Sequence, residues 1–430
     1  MTDTDTYPEF RPDEAFAHEM DRADELARFR EQFHLPAGPS REPLIYFAGH
    51  SLGLQPKSTR ALIERELDDW ADLGVLGHER AATPWYSYHE SFRESGARLV
   101  GAEPGEVVMM NSLTVNLHLM LVSFYRPTPE RYKILMETPA FSSDTYAVRT
   151  HLRHRGLDPD EALVTIGPRA GEHSIRAEDI LALLESDGES IATVMLAGVN
   201  FLTGQLFDMA SITAAAKSHG CVVGFDIAHA AGNVELRLHD WDVDFAVWCN
   251  YKYVNAGPGS IAGCFVHQKH AVDTERLRFG GWWGNDPESR FKLQLIPKFE
   301  PVPSADGWQI SNPSIFAMTP LRASIAIFDE IGMASLRRKS ERLTGYLEYL
   351  IDRLPGGRYE IITPRDPGQR GCQLSLLVHE RARECEQALQ EAGVICDFRE
   401  PNVIRAAPIP LYNTFHEVWR FAQILAGPVL

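Results

Sequence analysis

Basic residues are in short supply in this chain. Its 42 Lys and Arg stand against 59 Asp and Glu, a formal net charge of −17 over 430 residues. That balance excludes a general polyanion-binding surface, whether for nucleic acid or for an anionic membrane. Cysteine is scarce as well. The six, at Cys221, Cys249, Cys264, Cys372, Cys385 and Cys396, form no C-x-x-C pair, and three sit inside apolar strand-like runs. They read as buried free thiols, not as disulfides or metal ligands. The 16 histidines show no H-E-x-x-H or comparable zinc spacing, so no metal is expected. No apolar run approaches the ~20 residues that span a bilayer. The acidic opening "MTDTDTYPEFRPDEAF" has no basic-then-apolar leader pattern. Repeats and low-complexity segments are absent too. A cytoplasmic protein with no nucleic-acid or membrane partner is expected.

What is present is an alternation of short apolar runs with helical patterns. "EVVMMNS" (106–112), "YKILMET" (132–138), "IATVMLAGV" (191–199), "CVVGFDIA" (221–228) and "DFAVWCNY" (244–251) each read as a strand. "LTVNLHLMLVSFY" (113–125) and "MASITAAAKSHG" read as helices between them. "STRALIERELDDWADLG" is a further helix, with Leu62, Leu67, Trp70 and Leu73 approximating one apolar face. Continuously apolar strands separated by helices predict an α/β fold with a mostly parallel central sheet covered on both faces. After "ISNPSIF" a long amphipathic helix and short strands predict a smaller α+β module. The expected division is an N-terminal helical segment (1–45) packing with the small domain, a large domain (46–315) and a small C-terminal domain (316–430).

Ligands of parallel α/β sheets bind beyond the carboxyl ends of the strands, so the polar residues there are the candidates. Asp226 ends one apolar strand, with His229 three residues on. It is either an N-cap for the next helix or a carboxylate that meets a cation such as a protonated pyridine nitrogen. Lys252 follows the next strand. It either snorkels to water or is a reactive amine able to form a covalent link to a carbonyl carbon. An aspartate and a lysine at adjacent strand ends can address opposite ends of one planar cofactor, pyridoxal 5'-phosphate. Tyr251 is either core or a phosphate ligand. Leu113 and Thr114 open a helix, where backbone N–H groups suit a phosphate. Phe141 is placed to stack on an aromatic ring, and Asp144 to hydrogen-bond beside it.

These motifs resemble those of the kynureninase family, fold-type I pyridoxal-phosphate enzymes of the aspartate aminotransferase superfamily. The resemblance runs through "YFAGHSLGLQPK", "GVLGHERAATPW", "FDIAHAAGNVELRLHDWDVDFAVWCNYKYVNAGPGSIAG", "GWWGNDPESRFK", "ISNP" and "VIRAAPIPLYN", most of the chain beyond about residue 45. It implies that Lys252 links covalently to the cofactor, that Asp226 pairs with the pyridine nitrogen and that His229 lies close to the ring. Leu113, Thr114, Tyr251 and Trp282 resemble phosphate-binding positions, Trp282 toward the partner subunit. Phe141 resembles the stacking aromatic, with Asp144 beside it. Arg405 resembles the arginine that takes the substrate α-carboxylate. His78, Ser311 and Asn312 match positions that contact the substrate aniline ring in animal-type members, Asn312 also counting among the cofactor contacts. Lys252, Asp226 and Tyr251 are the implied catalytic set.

The implied reaction is hydrolysis of the Cβ–Cγ bond of L-kynurenine or 3-hydroxy-L-kynurenine, giving anthranilate or 3-hydroxyanthranilate and L-alanine, in tryptophan catabolism and NAD synthesis. A homodimer with interfacial active sites is implied as well. Two departures stand out: Ala197 occupies a position that is often serine, and Asn285 one that is histidine in animal relatives. A cysteine desulfurase or aspartate β-decarboxylase is the nearest alternative, but Cys372 in "QRGCQLSLL" opens an apolar run instead of sitting on a mobile loop. A cofactor-binding protein without catalysis is the other, and Lys252, Asp226 and Arg405 argue against it.

Overall fold

The computed structural model describes residues 9–38 and 41–427. The first eight residues of the expected 1–45 segment, with 39 and 40, lie outside the described residues. Seven strands form the main sheet: β1 (Val107–Met109), β2 (Lys133–Glu137), β3 (Leu163–Ile166), β4 (Ile191–Ala197), β5 (Val222–Asp226), β6 (Phe245–Cys249) and β7 (Ala262–Val266). Their order is β1-β7-β6-β5-β4-β2-β3. The pairings from β3 through β6 are parallel, and β7 is antiparallel to both of its neighbours. The sheet is thus mostly parallel, as the apolar runs imply. Successive side chains leave opposite faces. Leu135, Val194, Phe225 and Trp248 join one core, while Ile134, Met136, Met195 and Val247 join another on the opposite face. With both faces buried, a strand has no polar side to alternate, which is why these runs are continuously apolar.

The helix Thr59–Leu73 forms where expected, but its apolar face does not pack as expected. Leu67 and Trp70 are 45% and 59% exposed, and Glu66 is the buried side chain. Glu66 is satisfied there by the Trp85 indole N–H and the Tyr88 hydroxyl, each at 3.0 Å. Two buried donors outweigh the apolar pattern.

A second core is built by Phe16, Ala17 and Met20 of the N-terminal helix together with Leu343, Leu347, Leu376, Ile404 and Phe421. Its antiparallel sheet uses β8 (Tyr359–Ile361), β9 (Leu374–Val378), β10 (Asp397–Arg399) and β11 (Val403–Ala406), in the order β10-β11-β9-β8. The helix Ile315–Ile331 contributes Met318, Leu321, Ile325 and Phe328 to the core of the large sheet. The segment 45–54 ties the two parts together. Ile45–Tyr46 pairs with Val394–Ile395, Ala48 bridges to Ala407, and the Gly53 N–H donates to the Tyr251 carbonyl at 2.7 Å. A Cβ at Gly53 would sit 2.3 Å from the Lys252 carbonyl, so this close approach requires glycine.

Candidate active site

The carboxyl ends of β2, β4, β5 and β6 open on one cavity of about 210 Å³. Leu113, Thr114, Phe141, Asp144, Asp226, His229, Tyr251 and Lys252 line it, so eight of the expected residues converge from four separate stretches of chain. Ser143, Ala197, Val199, Phe201 and Ala228 complete the wall. At Ala197, where a serine is often found, the wall offers a methyl group.

Asp226 is the last residue of β5 and is buried. Its Oδ1 accepts the Ala228 N–H at 2.7 Å, which fixes the carboxylate at the strand end. Lys252 stands three residues beyond β6, with Nζ 5.6 Å from the Phe141 ring centroid. Phe141 precedes the helix Ser142–His154, is 38% exposed and meets Phe201 edge to face at 5.3 Å. The helix Leu113–Phe124 points its N-terminus at the cavity, and Ser112 at its cap makes no side-chain hydrogen bond to the first turn. First-turn N–H groups have no acceptor within their own helix and suit an anion.

Three buried carboxyl groups gather at one end. Glu137 ends β2, and its Oε2 accepts the Ala197 N–H at 3.2 Å. Burial pushes the Glu137 carboxyl up to about 7, with Asp226 adding to the rise. Burial, then Asp226, pushes the Asp144 carboxyl well above the usual range. Among the described residues, no lysine or arginine forms an ion pair with any of the three. A buried acidic group without a cation is costly. A protonated ring nitrogen would supply that cation, so the residues present fit pyridoxal phosphate, and Asp226, Leu113, Thr114 and Lys252 are the ones that would hold it.

The expected Arg405 does not itself line the cavity; it adjoins the wall through Phe201. Arg405 on β11 is buried, and burial lowers its pKa against the pull of Asp397. Its Nε and Nη2 reach Asp397 Oδ1 at 2.9 and 2.8 Å, and Nη1 donates to the Phe201 carbonyl at 2.6 Å. Ser375 Oγ of β9 donates to the Leu202 carbonyl at 2.6 Å, so the small sheet holds the loop that carries Phe201. Arg399 shares Asp397, at 2.8 Å. His229 is buried with Nδ1 unpartnered, and burial together with Lys252 and Arg405 keeps the ring neutral. Burial, then the Cys249 thiol, raises the Tyr251 phenol, so its hydroxyl stays a donor at neutral pH.

The remaining expected residues lie elsewhere in the protomer. Trp282, Ser311 and Asn312 are exposed. His78 stacks on Tyr86 at 4.5 Å with Nδ1 buried and unpartnered. None of the four lines the cavity. Residues the sequence reading missed include Glu137, Phe201, Arg399 and Asp397. Glu137 had a usable signal, an acid closing an apolar strand in the manner of Asp226. The others come from loops and from the distant small sheet, where no local pattern marks them.

Comparison with known proteins shows the family and the fold. Residues 336–425 match the family described as "Kynureninase C-terminal domain". A kynureninase of Koribacter versatilis is 56% identical, covering 96% of this chain and 97% of the relative. One from Myxococcus xanthus is 55% identical over 97% and 98%. Among solved structures, a C-DES mutant with glycine covalently linked to its PLP cofactor superposes with a TM-score of 0.75 at 17% identity, covering 92% of this chain and 98% of that one.

Proposed function

This chain belongs to the kynureninase family, and from that premise we propose how its own residues cleave the Cβ–Cγ bond of L-kynurenine and 3-hydroxy-L-kynurenine. The observation that carries the reading is the placement of Asp226 and Lys252 on one cavity, with Arg405 bonded to the wall residue Phe201 beside it. Pyridoxal 5'-phosphate, once bound, supplies the carbonyl carbon that takes an amine and a cationic ring that accepts an electron pair. Asp226 keeps the ring nitrogen protonated. Lys252 Nζ holds the cofactor at rest and, once displaced by the substrate amine, moves the proton at the substrate α carbon. Arg405 takes the α-carboxylate, and its anchoring by Asp397 and the Phe201 carbonyl orients it beforehand. The protonated Tyr251 hydroxyl is a hydrogen-bond donor to the phosphate and a proton donor within the cavity. Water adds at the γ-ketone, the bond to the β carbon breaks, and the products are anthranilate, or its 3-hydroxy form, and L-alanine.

The finer reading concerns assembly. Trp282, Ser311 and Asn312 are exposed and outside their own protomer's cavity, and Leu277, Phe279 and Phe291 are each more than half exposed nearby in sequence. Apolar surface of this kind is characteristic of interfaces. A homodimer in which one subunit brings Trp282, Ser311, Asn312 and His78 to its partner's cavity accounts for all of them. Light scattering on the purified protein tests it: a fully active monomer contradicts it. No described helix is long and apolar enough to cross a membrane. The free thiols suit a reducing compartment, which supports a cytoplasmic location.

A desulfurase reading is disfavoured by Cys372, which is buried with its thiol pushed up to about 12. The competing activities separate in one assay. Loaded with cofactor, the protein should release fluorescent anthranilate from L-kynurenine and no sulfide from L-cysteine. Sulfide without anthranilate would overturn the reading.

A further inference from the structure

His50 takes no part in the steps above, yet it is completely buried near the cavity. It is 0% exposed, and neither ring nitrogen has a hydrogen-bond partner. The Phe47 carbonyl approaches the ring without completing a bond. A buried imidazole with both nitrogens unsatisfied is costly, so the position has to be explained by a partner that arrives.

The backbone leaves the ring little freedom. Ser51 and Leu52 N–H groups both donate to the Ala48 carbonyl, at 2.9 and 3.1 Å, closing a tight turn around His50. A Cβ at the preceding Gly49 would lie 2.3 Å from the Tyr412 hydroxyl, so the turn is pressed against the segment that follows β11. Beyond it, Gly53 is bonded to the Tyr251 carbonyl. His50 is therefore held between the loop that carries Lys252 and the exit of β11.

The groups facing it define the partner's charge. Arg405 from β11, Lys252 from the loop after β6 and Arg399 from β10 act on it most strongly after burial, and the His229 ring lies 6.3 Å away. Asp397 is the carboxylate that pairs with both Arg405 and Arg399. Two arginines share that one carboxylate, which leaves a positive charge for one more anion, and a neutral imidazole offers it an N–H.

We propose that His50 is a substrate-positioning residue that, together with Arg405, receives the α-carboxylate of the amino-acid substrate. This rests on the amino-acid-cleaving function proposed above. When the carboxylate arrives, it lies between His50 and Arg405 and satisfies one of the unpartnered nitrogens. The negative charge also raises the proton affinity of the ring.

The test uses the holoenzyme and two probes that differ only in the carboxylate, L-alanine and ethylamine, followed by the change in cofactor absorbance. His50→Leu should weaken L-alanine about tenfold or more, the loss expected for a hydrogen bond to a charged group. It should leave ethylamine and cofactor affinity unchanged, and in turnover the loss should fall on KM far more than on kcat. His50→Gln retains a donor and should recover part of the L-alanine affinity; if the leucine variant does not fold, the same carboxylate-specific loss, smaller, is expected of the glutamine variant. Equal weakening of both probes, or of neither, would overturn the proposal. Failure of the family reading is separate, since it appears as absence of kynurenine turnover in the wild type.

Discussion

The Arg405 guanidinium reaches a single oxygen of Asp397 through two nitrogens, Nε at 2.9 Å and Nη2 at 2.8 Å. Its third nitrogen is bonded to the Phe201 carbonyl at 2.6 Å. The side chain is thus fixed in plane by the small sheet on one side and by the large domain's 199–206 loop on the other. A residue that joins two parts of the protein makes the wall at Phe201 depend on their docking, and with it the substrate binding proposed for Arg405.

Arg405→Lys keeps the charge but not the planar fork. A lysine cannot hold Asp397, the Phe201 carbonyl and a carboxylate at once. We expect kcat/KM to fall at least about a hundredfold, from two charge-assisted hydrogen bonds at roughly 1.5 kcal/mol or more each. Steady-state kinetics on L-kynurenine checks it, and a change below threefold would contradict the anchoring.

Lys252→Ala is expected to abolish turnover and the visible band of the lysine-linked cofactor. Absorbance spectroscopy of the purified variant reads both. Retained activity would move the covalent link to another amine.

Asp226→Asn should leave cofactor bound, since the wall at Leu113, Thr114, Phe141 and His229 is intact. It should lose most of kcat, because an amide cannot hold the ring nitrogen protonated. Cofactor retention measured after gel filtration, alongside kcat, separates binding from electron withdrawal. A rate near wild type would remove Asp226 from that role.

Glu137 gives a pH signature. Its pKa is raised in the folded protein, from an ordinary 4.5 to about 7, chiefly by burial. The folded state therefore binds the proton more tightly than the unfolded state. The stabilisation this provides is full below about pH 4.5 and is lost as pH rises through 7. The rise corresponds to roughly 3 kcal/mol. Urea unfolding of the cofactor-free protein across that range should show the decline, and Glu137→Gln should flatten it. Superimposable profiles for the two proteins would contradict the buried neutral acid.

Much of the architecture is legible in the chain because both faces of the main sheet are buried. Five of its seven strands are continuous apolar runs that the sequence marks plainly. The two it does not mark have physical reasons. β3, "LVTI", is short and half covered, with Thr165 exposed. β7 carries Gly263, whose missing side chain makes room for the Trp248 indole, and glycine reads as a break. The pattern misleads at Thr59–Leu73, where Glu66 is inside and Trp70 outside.

The cavity is legible to the same extent. Asp226 and Lys252 stand out because a charge at the end of an apolar strand is anomalous. His50 lies within "YFAGHSLGLQPK" yet shows no local anomaly, since its significance comes from Arg405 and Arg399, some 350 residues away in sequence.

Substrate choice follows from His78 and Asn312 if the second subunit brings them to the ring. Each side chain offers both a donor and an acceptor. A site with such groups disfavours the substrate that leaves them unpaired. We expect kcat/KM for 3-hydroxykynurenine to exceed that for kynurenine, and the ratio to shrink in a His78→Leu, Asn312→Thr double variant. Equal values in the wild type would contradict the assignment.

The most direct measurement of hydrolytic cleavage is product analysis after turnover of L-kynurenine in water enriched in heavy oxygen. Hydrolysis between Cβ and Cγ places the water oxygen on the former ketone carbon. The expected products are anthranilate carrying one heavy oxygen in its carboxyl group and an equimolar amount of alanine carrying none. Unlabelled anthranilate, or cofactor-loaded protein that yields no anthranilate, would contradict it.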